Sequence, residues 1–111
     1  MPAKKQEKSV DVNQCLGIVA FVGKSLSDEN RLRILLSLCG GKKTVSAIVD
    51  EMNLSQPLVS HHLKELRRCL LVNMERKGLF VYYRIADGRV IEIVEQLAHL
   101  ATDLLSKRDT F

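Results

Sequence analysis

This chain of 111 residues has no tryptophan, two tyrosines and three phenylalanines. With so few rings to pack, its core has to be built from aliphatic side chains. No apolar run reaches the length of about 20 residues that a membrane-spanning helix needs. The charged start, MPAKKQEKSV, is not followed by an apolar stretch of signal-peptide length. Cysteine is scarce too: Cys15, Cys39 and Cys69 are odd in number and far apart. That spacing argues against a disulfide framework and for a cytoplasmic protein with reduced thiols. Nothing in the sequence pairs a nucleophile with a base, builds a phosphate loop or sets two carboxylates together, so no class of enzyme is indicated.

What the chain does have is positive charge. Lysine and arginine number 17 against 13 acidic residues, a net charge of +4. A small basic domain suits a polyanionic partner, nucleic acid first, although such a charge also serves solubility alone. The length allows one domain with one modest core. Residues 1–9 are read as a flexible polar tail and residues 10–111 as that single domain.

Hydrophobic spacing then lays out the elements. Val12, Leu16, Val19, Gly23 and Leu26 recur at helical intervals. Ser27 is placed to cap a second helix with Leu32, Leu35, Leu36 and Cys39 inward, stopped by Gly40-Gly41. Thr44 caps a short third helix through Val45, Ile48, Val49 and Met52. After the turn at residues 53–55, Ser55 caps a fourth, with Pro57 in its first turn and Val59, Leu63, Leu66 and Leu70 inward. The period then changes to two in LLVNMER and LFVYYRI, a β-hairpin turning near Lys77-Gly78. A long helix ends the chain. The predicted order is α-α-α-α-β-β-α, mainly helical with a small hairpin: a winged helix-turn-helix.

The fourth helix, in SQPLVSHHLKELRRC, carries the most chemistry. About 100° separates successive residues on a helix, so the adjacent His61 and His62 diverge and cannot hold one ion together. His61 faces outward with Pro57, Ser60, Lys64 and Arg68, while Gln56 and Arg67 flank them and His62 leans to the core edge as a hydrogen-bonded residue. Gln56, Ser60 and His61 suit base edges. Lys64, Arg67 and Arg68 suit phosphates further along, and Arg76 and Lys77 add charge at the hairpin tip. The alternative is a solvated basic face, or a winged-helix module that binds protein.

LSDENRLRILLSL, SQPLVSHHLKELRRCLLV and ERKGLFVYYRI together resemble the ArsR/SmtB family of winged-helix repressors, over roughly residues 12–106. The resemblance implies a homodimer that binds double-stranded operator DNA and is released by an inducer, often a metal or metalloid ion. Gln56, Pro57, Ser60 and His61 match the family's base-contacting stretch, and Arg76 and Lys77 its wing. Glu29 departs from the proline common there.

The last helix favours a dimer on its own account. Its apolar residues, from Val90 through Leu97 and Leu100 to Leu105, cover about half the circumference, more than docking on one domain requires. Pairing with a second copy, together with the first helix, would cover the surplus.

The family's known inducer sites are mostly missing. Thr44 and Ser46 stand where arsenic-type members resemble a cysteine pair. Asp87, Arg89, Leu100 and Asp103 stand at the zinc-type positions, which removes both central histidines and adds an arginine. Two alternatives stay open. Glu95, His99 and Asp103, with i,i+4 spacing, form a weak metal candidate alongside Asp87. Cys15, Cys39 and Cys69 are candidates for a thiol, redox or persulfide sensor, or are simply inert fillers.

Overall fold

Three helices begin where a short polar side chain accepts an otherwise unpaired backbone N–H. Asp28 Oδ1 accepts from the Arg31 amide at 3.1 Å, Thr44 Oγ1 from Ala47 at 3.2 Å, and Ser55 Oγ from Leu58 at 3.3 Å. Each such cap contributes about 1 kcal/mol. The computed structural model describes residues 9–108. Its elements are α1 (Leu16–Ser25), α2 (Glu29–Ser37), β1 (Lys43–Thr44), α3 (Val45–Met52), α4 (Gln56–Arg68), β2 (Val72–Lys77), β3 (Phe80–Ile85) and α5 (Arg89–Ser106). The winged helix-turn-helix order is therefore observed, with one short strand added. All but Ser9 of the tail expected over residues 1–9 lies outside the described residues.

The differences from the sequence reading have local causes. Asp28, not Ser27, caps α2; Ser27 turns back and donates its hydroxyl to the Lys24 carbonyl at 2.6 Å. A carboxylate accepts more strongly than a hydroxyl, and it stands one residue closer to the helix. Val12–Cys15 form a separate 3-10 turn ahead of α1, capped by Asp11. The core face of α2 is Ile34 and Leu35, continued by Leu38; Leu36, about 100° further round the same helix, points out, and Cys39 is exposed in the 3-10 turn at Leu38–Gly40 that follows.

Leu70 is the largest correction. Expected in the core, it is 76 % exposed and has a φ of +62°. It ends α4 in a left-handed turn: its own amide donates to the Arg67 carbonyl at 2.9 Å, and the Leu71 amide reaches back to Leu66 at 3.0 Å. This is the Schellman pattern, in which a residue usually glycine swings outward and the next apolar one packs in. Leu71 and Val72 accordingly take the core positions.

The hairpin pairs Val72 with Ile85 through Lys77 with Phe80. Gly78, at φ +60°, is the first of its two turn residues, which suits glycine. β1 pairs on the other edge of β3, giving the antiparallel order β1-β3-β2. Two residues carry no readable period, so the sequence does not announce β1.

The buried cluster is aliphatic plus Met52, as the shortage of rings requires: Ile34, Leu35, Ile48, Leu63 and Leu66 are its largest fully buried members. α1 and α5 hardly take part. Ser25 is the sole buried residue of α1 and Val90 of α5.

Candidate nucleic-acid interface

α4 is fixed at both ends, by Ser55 and by the Leu70 turn, and along one side by Val59, Leu63 and Leu66, all at 0 % exposure. His62 is buried as well, which leaves a single open face. Gln56, Pro57, Ser60, His61 and Lys64 are all exposed. The result is a rigid rod with short hydrogen-bonding groups in its first turns and a cation beyond them, the arrangement a groove-reading helix needs. The α2–α3 pair and the turn at Asn53, whose φ of +55° suits asparagine, hold α4 at the surface.

The two histidines part as the helix geometry requires. Their ring centroids are 5.7 Å apart with planes tilted by 53°. His61 is exposed. His62 is not an edge residue but buried, at 5 % exposure, with Nδ1 lacking a hydrogen-bond partner and Nε2 3.9 Å from Asp28. Nor is it hydrogen-bonded there, as the sequence reading expected, because 3.9 Å exceeds hydrogen-bond range. Burial lowers its pKa below the ordinary histidine value; the Asp28 charge opposes this, while Arg31 and His61 reinforce it. Asp28 in turn is held below the usual carboxylate range, chiefly by the Arg31 amide, with His62 adding to the shift and partial burial working against it.

The two arginines ending α4 are exposed but engaged within the chain. Arg67 Nη1 donates to the Met74 sulfur at 3.5 Å, tying α4 to β2. Arg68 sits 3.4 Å from Glu65 and 5.8 Å from the centre of the Phe21 ring. At the hairpin, Arg76 and Lys77 are exposed, and Glu75 lies between Lys77 at 3.8 Å and Lys42 at 3.6 Å. Lys42 also lies over the Tyr82 ring. Two features here escape sequence reasoning. Lys42 joins the wing only through the β1–β3 pairing, and Leu79, at 95 % exposure, makes the hairpin tip apolar.

The sensing candidates do not assemble. Among the described residues, no three His, Cys, Asp or Glu side chains form a metal-binding group. Glu95 and Asp103 lie eight residues apart on α5, about 12 Å along its axis, too far for both to reach one ion beside His99. Asp87 is occupied by Arg89, whose Nη2 is 2.8 Å away. Cys15, Cys39 and Cys69 are free thiols on three separate elements; Cys39 is exposed, and the Cys69 thiol points at the Phe21 carbonyl, 3.9 Å off.

Comparisons with known proteins agree with this architecture. The family model described as bacterial regulatory protein, arsR family, matches residues 28–74, from the α2 cap into β2. The transcriptional repressor SdpR of Bacillus subtilis is 41 % identical over 64 residues, which cover 58 % of this chain and 71 % of that protein. An uncharacterized HTH-type transcriptional regulator of Methanocaldococcus jannaschii is 37 % identical over 82 residues, 73 % of this chain and 92 % of its own. Among solved structures, a homodimeric winged helix-turn-helix DNA-binding domain (fragment 1-100) from Mycobacterium bovis, described as a possible ArsR-family regulator, aligns with a TM-score of 0.76. Its identity is 30 %, over 96 % of this chain and 98 % of that one. A capped helix pair, a recognition helix with one open face and a hairpin beside it thus coincide with matches along most of these relatives: the chain belongs to the arsR family of bacterial regulatory proteins, the winged helix-turn-helix regulators of transcription.

Proposed function

We propose that the protein is a homodimeric repressor that reads operator DNA through α4 and the β2–β3 hairpin and has no catalytic role. Gln56, Ser60 and His61 meet base edges. Pro57 sets the first turn close to the groove, and Lys64, Arg67, Arg68, Arg76 and Lys77 meet phosphates. Its place of work is the cytoplasm, with the DNA; among the described residues no helix is long and apolar enough to cross a membrane.

The observation that carries this reading is the pair of stripes left open on α1 and α5. Leu16, Ile18 and Val19 on one helix, and Ile93, Leu97 and Leu100 on the other, are each more than half exposed in the single chain. Two-fold pairing would cover both stripes and present two α4 helices about 34–36 Å apart, one turn of DNA. Repression then follows from occupying the DNA that polymerase needs.

The test is a mobility shift and footprint on the DNA upstream of the protein's own gene, against random DNA of equal length. A protected near-palindrome bound by two chains is expected. Equal affinity for both DNAs would instead favour a protein-binding winged helix.

A further inference from the structure

A cavity of about 290 Å³ opens between α1, α2 and α4. This is the small end of the range for ligand pockets. The cations Lys24, Arg31 and Arg68 line it, against the single carboxylate of Glu65. Arg68 and Glu65 satisfy each other at 3.4 Å. Lys24 and Arg31 enter no ion pair among the described residues.

The same wall holds hydrogen-bonding atoms with nothing to bond. Ser25 is 4 % exposed, and its Oγ is buried without a partner. The Nε of Arg31 is also buried without one. Unpaired buried polar groups are costly and rare, and both residues belong to the cavity lining, so a small shift of either side chain would bring its donor to an acceptor from outside the chain. Positive charge beside them, offset at Arg31 by the Asp28 charge and at Lys24 by no ion pair among the described residues, sets the sign of that acceptor. The Phe21 ring and the Cys69 thiol supply an apolar wall opposite, which limits the ligand to a small body.

We propose that this cavity binds a small anion, a carboxylate or phosphate ester, with its oxygens held by Lys24, Arg31 and Ser25. His61 lines the same cavity while its ring is also exposed on the outer face of α4. An anion drawing the His61 ring inward removes it from the DNA face, so the ligand lowers operator affinity. That coupling rests on the repressor reading above; the binding itself does not. A phosphate of the DNA backbone carries the same oxyanion, and the arms of the test separate the two sources.

The full chain, without DNA, is titrated calorimetrically with inorganic phosphate and with citrate, against sodium chloride at matched ionic strength. Saturable binding of at least one is expected. It should weaken at least tenfold in the double variant Lys24→Gln/Arg31→Gln and less in Ser25→Ala, with circular dichroism confirming that each is folded. Lys24→Gln alone, at an exposed position, serves if the double variant is not. Binding no different from chloride, or unchanged in the Lys24→Gln series, overturns the site. So does a loss of DNA affinity in Lys24→Gln when the wild type binds neither free anion, because the cavity is then a backbone contact. A mobility shift with the saturating anion follows: lowered operator affinity supports the coupling, and unchanged affinity overturns it. If the protein binds no operator at all, the repressor reading fails and the calorimetric result stands.

Discussion

The Nε2 atom of His62 lies 3.9 Å from Oδ1 of Asp28, so the buried ring of the recognition helix faces the carboxylate that caps α2. Burial dominates, and the folded-state pKa of His62 falls below its ordinary value. The unfolded chain therefore binds the proton more readily, and stability declines as pH falls. We expect urea midpoints to be constant above about pH 6.5, to drop below it, and to level off once the folded-state pKa is passed. The groups facing His62 (Asp28, Arg31 and His61) leave the direction unchanged. His62→Gln should remove this step. Asp28 acts lower on the scale: its contribution is present above the ordinary carboxylate range and is lost as pH falls through its depressed folded-state value.

His61→Ala should weaken binding to the specific operator by about 1–3 kcal/mol and leave random DNA almost unaffected, because a lost base contact carries sequence information. Lys64→Ala should weaken both DNAs alike and reduce the salt-dependence slope by about one. Fluorescence anisotropy at several salt concentrations separates the two. A uniform loss for His61→Ala would assign it to the phosphates.

Leu97 is 55 % exposed in the single chain. Leu97→Glu therefore costs the isolated fold little but places a charge in the proposed α1–α5 pairing face. Sedimentation should show a monomer with native circular dichroism. Operator affinity should fall by about a hundredfold or more, since the second half-site is no longer held at high effective concentration. A dimer surviving this change would move the interface elsewhere.

Leu70→Gly should stabilise the protein by about 1 kcal/mol, because an L-residue in a left-handed turn carries about 1–2 kcal/mol of strain and glycine's extra chain entropy offsets only part of it. Chemical denaturation measures the gain. Leu70→Val, β-branched at a positive φ, should do the opposite.

The elements that repeat were legible in the sequence. Period 3.6 placed α3 with Ile48 and Met52 inward, and Thr44 and Ser55 announced their helices because a cap is a local event. What was missed depends on partners distant in sequence. β1 exists only through its pairing with Tyr82 and Tyr83. Leu70 followed the helical period yet left the core, because the turn ending α4 obeys a different rule from the helix before it. Helix geometry directs His62 toward an edge and cannot say that the start of α2 closes over it. Most of the residues proposed to face DNA share α4 and are readable together, with Arg76 and Lys77 on the hairpin beside it. Lys24, Ser25 and Arg31 meet His61 only in three dimensions.

The exposure of α1 and α5 also bears on dose. A lone chain must leave both apolar stripes in water, so in the proposed dimer folding is linked to association and the melting temperature rises with protein concentration. At concentrations where chains are mostly separate, the amount of dimer grows as the square of the amount of chain. Occupancy of the DNA would then respond to small changes in abundance more steeply than simple proportion, from two uncovered helix faces and no additional part.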